Sequence, residues 1–322
     1  MIPAGGLEMD FFQQPLALTS RFTLPSRAVL SPLEGIMNRE NFFRAALALK
    51  LIDSWMPPFI GIPKDAPPKK GALRKRFRLF LESGIPFTVQ ILGHDPDSMA
   101  AACRTLFELG VVSVNVNCAC PSPTVVSSGS GSALLKQPDL LKNILQTIRT
   151  AVPELCLSVK LRSGFRSPEE LSEILAAVRD GGPHWIIHHF RTAAEMYAEI
   201  PRNDALRRFR LVRELLPQTA FFANGDIHTP ADAECYRKEC GCDGIAVGRG
   251  ILRDPFLLRA ILTDREPDSD LRSEFLARLT AGIANRRRHH FQLECVKMAY
   301  GEDSAEFRNA LNSVQCHKAA PG

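Results

Sequence analysis

Short apolar and β-branched segments alternate with helical patterns along most of this chain, and this alternation limits its fold more than any other feature. Eight segments have the composition of buried strands, at residues 27–32, 58–62, 87–92, 111–116, 155–160, 185–189, 220–223 and 244–247. Eight strands that alternate with helices over about 235 residues predict an α/β fold, a (β/α)8 TIM barrel. A doubly wound open sheet is the alternative, but no Gly-x-Gly-x-x-Gly sequence follows any of the strands.

With 322 residues, the chain is long enough for one large α/β domain and a small appendage. From Asp268 to Val314 the sequence keeps a helical periodicity without a strand pattern, which predicts a small C-terminal all-helical domain. We therefore expect an N-terminal extension at residues 1–21, the barrel at 22–263 and the helical domain at 264–322. The basic, proline-containing segment 63–75 is expected to form a long loop.

The composition is that of an ordinary soluble protein, with 45% hydrophobic and 23% charged residues. No apolar run approaches the roughly 20 residues of a membrane span, and residues 1–15 lack the pattern of a secretory signal. The nine cysteines follow no framework pattern, which indicates reduced thiols and a cytoplasmic protein. Neither Cys118-x-Cys120 nor Cys240-x-Cys242 has zinc-site spacing, so we expect no metal.

Positive charge is concentrated in three groups, although the formal net charge is only +5. The first group lies within residues 64–78, the second within 202–213 and the third at 286–290. Each group alone is compatible with a solvated surface. Together they make a polyanionic partner plausible.

In a TIM barrel the functional site lies where the strands meet the loops that follow them. The residues at these strand ends are therefore the candidates for chemistry. They are Glu34, Gln90, Asn117, Cys120, Lys160, Arg162, His189, Arg191, Asn224, Gly225, Asp226, Gly248 and Arg249.

Cys120 follows the fourth predicted strand and precedes a loop rich in glycine and serine. Its position is that of a catalytic residue, but a small buried cysteine with a packing role fits the local sequence equally well. Lys160 ends an otherwise apolar strand. It either extends its ammonium group to solvent or meets an electron-rich group, such as the N1–C2 carbonyl edge of a flavin.

Glycine-containing turns follow the seventh and eighth strands, at Asn224–Asp226 and Gly248–Gly250. Such turns often bind phosphate through backbone N–H groups in barrels, and Arg249 would add a charged contact; two ordinary turns are the alternative. His188 and His189 lie on opposite faces of a strand, so at most one of them points into the barrel.

The motifs at these strand ends resemble the signature of the tRNA-dihydrouridine synthases and occur in that family's order. The matching segments are Ser31–Gly35, Asn117–Pro121, Gly129–Leu135, Val159–Arg162, His189–Thr192, Asn224–Asp226 and Gly248–Gly250. The resemblance covers roughly residues 22–314. Within the family, the pattern is most similar to the bacterial members that act on the uridine at position 16.

The resemblance implies a cytoplasmic, monomeric flavoprotein whose barrel holds FMN and whose helical domain binds tRNA. NADPH would reduce FMN, the flavin N5 would give a hydride to C6 of uracil, and Cys120 would protonate C5. Asn117 and Arg162 would contact the uracil. The residues that would hold FMN are Pro32, Leu33, Glu34, Gln90, Lys160, His189, Asn224, Gly225, Asp226, Gly248 and Arg249.

The chain departs from the family pattern at several points. Ala119, Phe190 and Met196 stand where the family has glycine, residues 57–70 match poorly, and the linker at 264–288 is shorter. An FMN barrel that reduces a small pyrimidine or an enone is an alternative function. An RNA-binding protein without catalysis is another, although Cys120 and Lys160 argue against it.

Overall fold

A computed structural model describes residues 11–33, 40–263, 265, 267–281, 293, 295–297, 300 and 304–319. Its centre is a parallel sheet of eight strands. These strands are β3 (Ala28–Leu30), β4 (Ile60–Gly61), β5 (Val89–Leu92), β6 (Ser113–Cys118), β7 (Cys156–Arg162), β8 (Trp185–His189), β9 (Ala220–Asn224) and β10 (Gly244–Val247).

The order of the strands is that of a closed barrel. Across the sheet it runs β3-β10-β9-β8-β7-β6-β5-β4, so from β4 to β10 each strand pairs with the next strand along the chain, and the last strand, β10, pairs with the first, β3. The two edge strands, β3 and β4, are consecutive as well, and the sheet curls until they face each other. The prediction of a (β/α)8 TIM barrel is confirmed.

Helices surround the sheet. They are α1 (Glu40–Ala48), α2 (Lys70–Ser83), α3 (Pro96–Glu108), α4 (Pro123–Ser127), α5 (Pro138–Ala151), α6 (Leu171–Gly181), α7 (Arg202–Leu215), α8 (Pro230–Cys240), α9 (Gly250–Arg253), α10 (Leu257–Thr263), α11 (Ser269–Thr280) and α12 (Ala305–Ala319). In the described part of the chain, no helix combines the length and the apolar composition needed to cross a bilayer.

The C-terminal region is helical, as predicted, and α11 packs directly on the barrel. The ring of Phe275 is fully buried and meets the rings of Phe42 and Phe256 edge-on, with centroids 5.9 and 5.4 Å apart. This aromatic contact joins the first helix of the barrel to the tail.

Three predicted elements differ from the structure. The segment 63–75 is not one long loop, because α2 begins at Lys70 and buries Leu73 and Phe77 one turn apart on its inner face. Its basic residues hid this apolar spacing. Strands β6 and β7 also continue two residues past their predicted ends, to Cys118 and Arg162. The polar residues there face the barrel mouth, so the apolar sequence pattern ends before the strand does.

An unpredicted hairpin, β1 (Leu16–Thr19) with β2 (Phe22–Leu24), covers the amino-terminal end of the barrel. Phe22 and Leu24 point inward and pack in a buried cluster with Trp185 and Phe222, whose rings lie 5.2 Å apart. Strands of three or four residues are too short to produce a periodic sequence pattern. The hairpin extends across the expected domain boundary at residue 22.

We predict that Leu24→Ala lowers the free energy of unfolding by about 2–5 kcal/mol, because the hairpin's inner face fills the barrel base. Thr23→Ala, on the exposed face of the same strand, is the matched control and should cost less than about 1 kcal/mol. Urea denaturation measures both values. Equal losses would mean that the hairpin does not fill the base.

Candidate active site

A pocket of about 1010 Å³, including the solvent at its mouth, opens at the carboxyl ends of the strands. Thirteen of the fourteen residues predicted to bind cofactor or substrate or to catalyse line it, whereas Glu34 lies outside the described residues. The thirteen are Pro32, Leu33, Gln90, Asn117, Cys120, Lys160, Arg162, His189, Asn224, Gly225, Asp226, Gly248 and Arg249.

Cys120 is partly exposed in the pocket and is held there by its neighbours in the chain. The side-chain Oδ1 of Asn117 accepts hydrogen bonds from the backbone N–H groups of Ala119 and Cys120, both at 3.0 Å. Gly131 approaches from the other side with φ +62°, and a Cβ there would lie 2.9 Å from the carbonyl oxygen of Cys120. Cys118, by contrast, is fully buried in β6, where burial raises the pKa of its thiol.

A directional chain of hydrogen bonds continues from Asn117 through the barrel interior. Asn117 Nδ2 donates to Gln90 Oε1 at 2.9 Å, and Gln90 Nε2 donates to Asn115 Oδ1 at 2.7 Å. Asn115 Nδ2 then donates to Ser158 Oγ at 2.8 Å, and Ser158 donates to the carbonyl of Val114 at 3.2 Å. The chain fixes the orientation of both amides that line the pocket.

Lys160 is the single partly exposed residue of β7, because its side chain enters the open pocket. Burial, and then the nearby charge of Arg162, lower the pKa of its ammonium group to about 7. Among the described residues, none accepts a hydrogen bond from it. A bound anion or electron-rich group would therefore satisfy it.

Arg162 lies on the same strand and is anchored by backbone carbonyls. Its Nε donates to Ala119 at 2.9 Å, and its Nη1 donates to Thr192 and Met196 at 2.8 and 3.0 Å. Burial lowers the pKa of the guanidinium to about 10. In the described part of the chain, Nη2 has no hydrogen-bond acceptor, so it is free to bind a ligand.

The two histidines of β8 have different environments, as predicted. His188 points outward, where Ser163 lies 3.0 Å from its Nε2, and burial lowers its pKa to about 3. His189 points into the pocket, and burial holds its pKa well below the ordinary value. Its Nδ1 accepts from the N–H of Arg191 at 3.2 Å, so the neutral ring carries its proton on Nε2 and offers a donor to the pocket.

The turn after β9 forms one wall of the predicted phosphate cup. Gly225 has φ +118°, and a Cβ there would lie 2.6 Å from the ring of Phe190. Asp226 has φ +47° and binds Arg191 through both carboxylate oxygens, at 2.9 and 2.5 Å, while Arg249 lies 3.7 Å away. Burial would raise the pKa of Asp226, but Arg191 outweighs it and lowers that pKa. The backbone N–H groups of Gly225 and Asp226 donate to no described residue.

Several pocket residues were not predicted from the sequence. Tyr197 lies at the rim, with the guanidinium groups of Arg249 and Arg162 at 4.3 and 5.9 Å from its ring. The other unpredicted residues are Ser31, Pro58, Phe59, Ala119, Pro121, Ile227, His228 and Gly250. Most of them lie next to predicted site residues in the sequence, and this is the one sequence signal that could have indicated them. In the part of the chain described here, no cluster of His, Cys, Asp or Glu could hold a metal ion.

Comparison with known sequences identifies the family. The profile described as "Dihydrouridine synthase (Dus)" matches residues 70–319. The tRNA-dihydrouridine(16) synthase of Haemophilus influenzae is 34% identical over 248 residues, which cover 74% of this chain and 78% of that protein. The enzymes of the same name from Pasteurella multocida and Pseudomonas putida are 33% and 32% identical, covering 73% and 74% of this chain and 76% and 73% of their own length. The chain belongs to the dihydrouridine synthase family, and the predicted membership is confirmed.

Solved structures support the fold. Morphinone reductase superposes with a TM-score of 0.57 at 12% identity, covering 82% of this chain and 92% of its own. The old yellow enzyme of Trypanosoma cruzi gives 0.56 at 10% identity, with 83% and 96% covered. At these identities the likeness concerns the barrel architecture alone.

We predict that Gly131→Ala lowers dihydrouridine formation at least about tenfold, since the new methyl group would lie 2.6 Å from Val125 Cγ1 and 2.9 Å from the carbonyl oxygen of Cys120 and would displace the backbone that holds the thiol. Gly129→Ala is the matched control: its φ of +79° carries the same backbone cost of about 1–2 kcal/mol, but the nearest atom would be 3.6 Å away. Activity of the two variants, compared at equal folded fraction, separates loop displacement from lost stability. Equal activities would contradict the prediction.

Proposed function

We propose that this protein is an FMN-dependent tRNA-dihydrouridine synthase that reduces the C5–C6 double bond of uridine 16 in the tRNA D-loop, with NADPH as reductant. The observation that carries the proposal is the meeting of Cys120 and Lys160 in one pocket. A partly exposed thiol and a lysine without a protein partner at a barrel mouth suit the reduction of a polarised double bond.

The pocket residues fit FMN. Lys160 lacks a protein partner and would meet the electron-rich N1–C2 edge of the flavin, while Gln90 and the Nε2–H of His189 would offer hydrogen bonds to its ring system. Gly225 leaves room for close backbone approach, so the open N–H groups of Gly225 and Asp226 would bind the phosphate beside Arg249. Pro32 and Leu33 line the same pocket, whose volume is sufficient for the ring system.

The protein's own contribution to the reaction is positioning and proton transfer. When bound, FMN takes two electrons from NADPH and supplies a hydride from N5 to C6 of uracil. Cys120 Sγ–H gives its proton to C5, so that two C–H bonds form as the double bond becomes single. The thiolate then recovers a proton from solvent through the partly exposed face of Cys120.

Asn117 and Arg162 would hold the uracil between flavin and thiol. Arg162 keeps Nη2 for the base, because its other donors are used by backbone carbonyls. A uracil within a stacked loop cannot reach this depth, so the base must flip out of the tRNA. The choice of uridine 16 rests on the names of the relatives in Haemophilus influenzae and Pasteurella multocida.

The C-terminal helical region from residue 264 would add contacts to tRNA, and we place the protein in the cytoplasm as a monomer. A reductase of small pyrimidines would need neither that region nor a basic surface. Conversion of tRNA, with no conversion of free uridine, distinguishes the two functions.

Cys120→Ala should lower dihydrouridine formation about 100-fold or more, because it removes the proton donor. Reduction of bound FMN by NADPH should persist in this variant, since the thiol takes no part in that step. Cys118→Ala is the matched control: it removes a thiol two residues away that is buried in β6, and it should retain activity. Mass spectrometry of the modified tRNA and stopped-flow absorbance measure the two steps. Full tRNA activity of Cys120→Ala would remove this residue from the mechanism.

The affinity of the apoprotein for FMN should fall as the pH rises above about 7, by at most about tenfold per pH unit. Below that pKa Lys160 is already protonated; above it, binding to the flavin must take up a proton. Lys160→Met should bind FMN weakly with a flat pH profile, whereas Lys136→Met, an exposed control outside the pocket, should behave as wild type. Flavin fluorescence titration gives the dissociation constants. A pH dependence that survives in Lys160→Met would assign it to another group.

A further inference from the structure

Helix α2 carries a row of basic residues on its outer surface that the pocket does not use. We call Lys69, Lys70, Arg74, Lys75 and Arg78 the basic face; all five are exposed. Leu73 and Phe77, on the inner side of the helix, are buried against the barrel. The apolar side explains why the helix packs where it does, but it does not explain the charges.

The basic face is almost free of acidic partners. Lys70 forms an ion pair with Glu108 at 2.7 Å. Within the described residues, the side chains of Arg74, Lys75 and Arg78 form no hydrogen bond or ion pair. Their charge is therefore available to an external anion.

The second basic group of the sequence, on α7, has the opposite character. Each of its arginines is paired with a carboxylate of the protein. The pairs are Arg202–Asp232, Arg207–Asp204, Arg208–Glu195, Arg210–Glu239 and Arg213–Asp243. Charge on α7 is neutralised locally and contributes to the fold, and the third group, at 286–290, lies outside the described residues.

The arrangement on α2 works against the stability of the free protein. Lys70, Arg74 and Arg78 follow one another at four-residue intervals, where like charges repel. The first turn has no acidic residue, and Lys69 at the N-cap makes no side-chain capping bond, although positive charge is unfavourable at this end of a helix. A bound polyanion would offset both effects.

Helix α2 also contacts the wall of the pocket. Arg76 donates to the carbonyls of Pro58 and Phe59, at 3.4 and 3.2 Å, and both of these residues line the pocket. A macromolecule bound on α2 can therefore also reach the pocket.

We propose that the basic face of α2 binds backbone phosphates of the tRNA while the target uridine enters the pocket. This inference rests on the proposed function, because it takes tRNA as the substrate. Side chains one helical turn apart are separated by about 5–6 Å at the helix surface, so successive cations of the basic face can each contact a phosphate of the same strand.

The test compares two triple variants of the FMN-loaded protein that remove the same charge. Arg74→Gln/Lys75→Gln/Arg78→Gln should weaken tRNA binding at least about tenfold at physiological salt. It should also reduce the slope of log K against log salt by about 2, at roughly 0.7 per lost phosphate contact. Arg202→Gln/Arg207→Gln/Arg210→Gln should change tRNA affinity less than twofold, since those arginines are already paired.

Further measurements separate binding from folding. The α2 variant should keep the wild-type FMN affinity and rate of NADPH oxidation, and its melting temperature should be equal or higher because like-charge repulsion is relieved. An unchanged tRNA affinity and salt slope, in a protein whose wild type forms dihydrouridine, would overturn this inference alone. A wild type that neither binds nor modifies tRNA would overturn the proposed function as well. Loss of binding to phosphatidylserine vesicles with tRNA affinity unchanged would assign the face to a membrane.

Discussion

The geometry of the site depends on one hydrogen-bond chain whose direction is fixed at both ends. Backbone N–H groups at Ala119 and Cys120 can only donate, and the carbonyl of Val114 can only accept. Between them, the three side-chain amides of Asn117, Gln90 and Asn115 therefore have a single consistent orientation. The backbone that carries Cys120 and the amides that line the pocket thus belong to one hydrogen-bonded network. This network, and not the loop alone, fixes the position of the thiol.

Positive charge is then arranged around this core in two ways. Arg191 binds Asp226, and Arg162 binds backbone carbonyls, so most of their N–H donors are used within the protein. Lys160 has no such partner, and His189 is kept neutral by burial and by a backbone N–H at Nδ1. A lysine without a protein partner and a neutral donor thus face the same space, which suits a ligand that becomes negatively charged at one edge.

Much of this organisation could be predicted from the sequence, because a barrel places every strand end at one mouth. The alternation of strands and helices located Lys160 and His189, and two glycine turns located Gly225 and Gly248. The hairpin of β1 and β2 was not predicted because its strands are too short for a periodic pattern. The start of α2 was not predicted because lysine and arginine surround the apolar residues Leu73 and Phe77. The place of Tyr197 at the pocket was not predicted because a loop has no sequence periodicity. The ion pairs of the α7 arginines were not predicted because the number of charges in a segment does not show which of them are paired.

Phe190 and Gly225 place a constraint on how this site can change in evolution. The ring of Phe190 fills the space that a side chain at position 225 would need, with an imagined Cβ only 2.6 Å away. A larger residue at 225 would clash with this ring, and the φ of +118° would strain its backbone even if position 190 held a smaller residue. The turn after β9 therefore requires glycine at 225 for two separate reasons, the space taken by Phe190 and the backbone conformation.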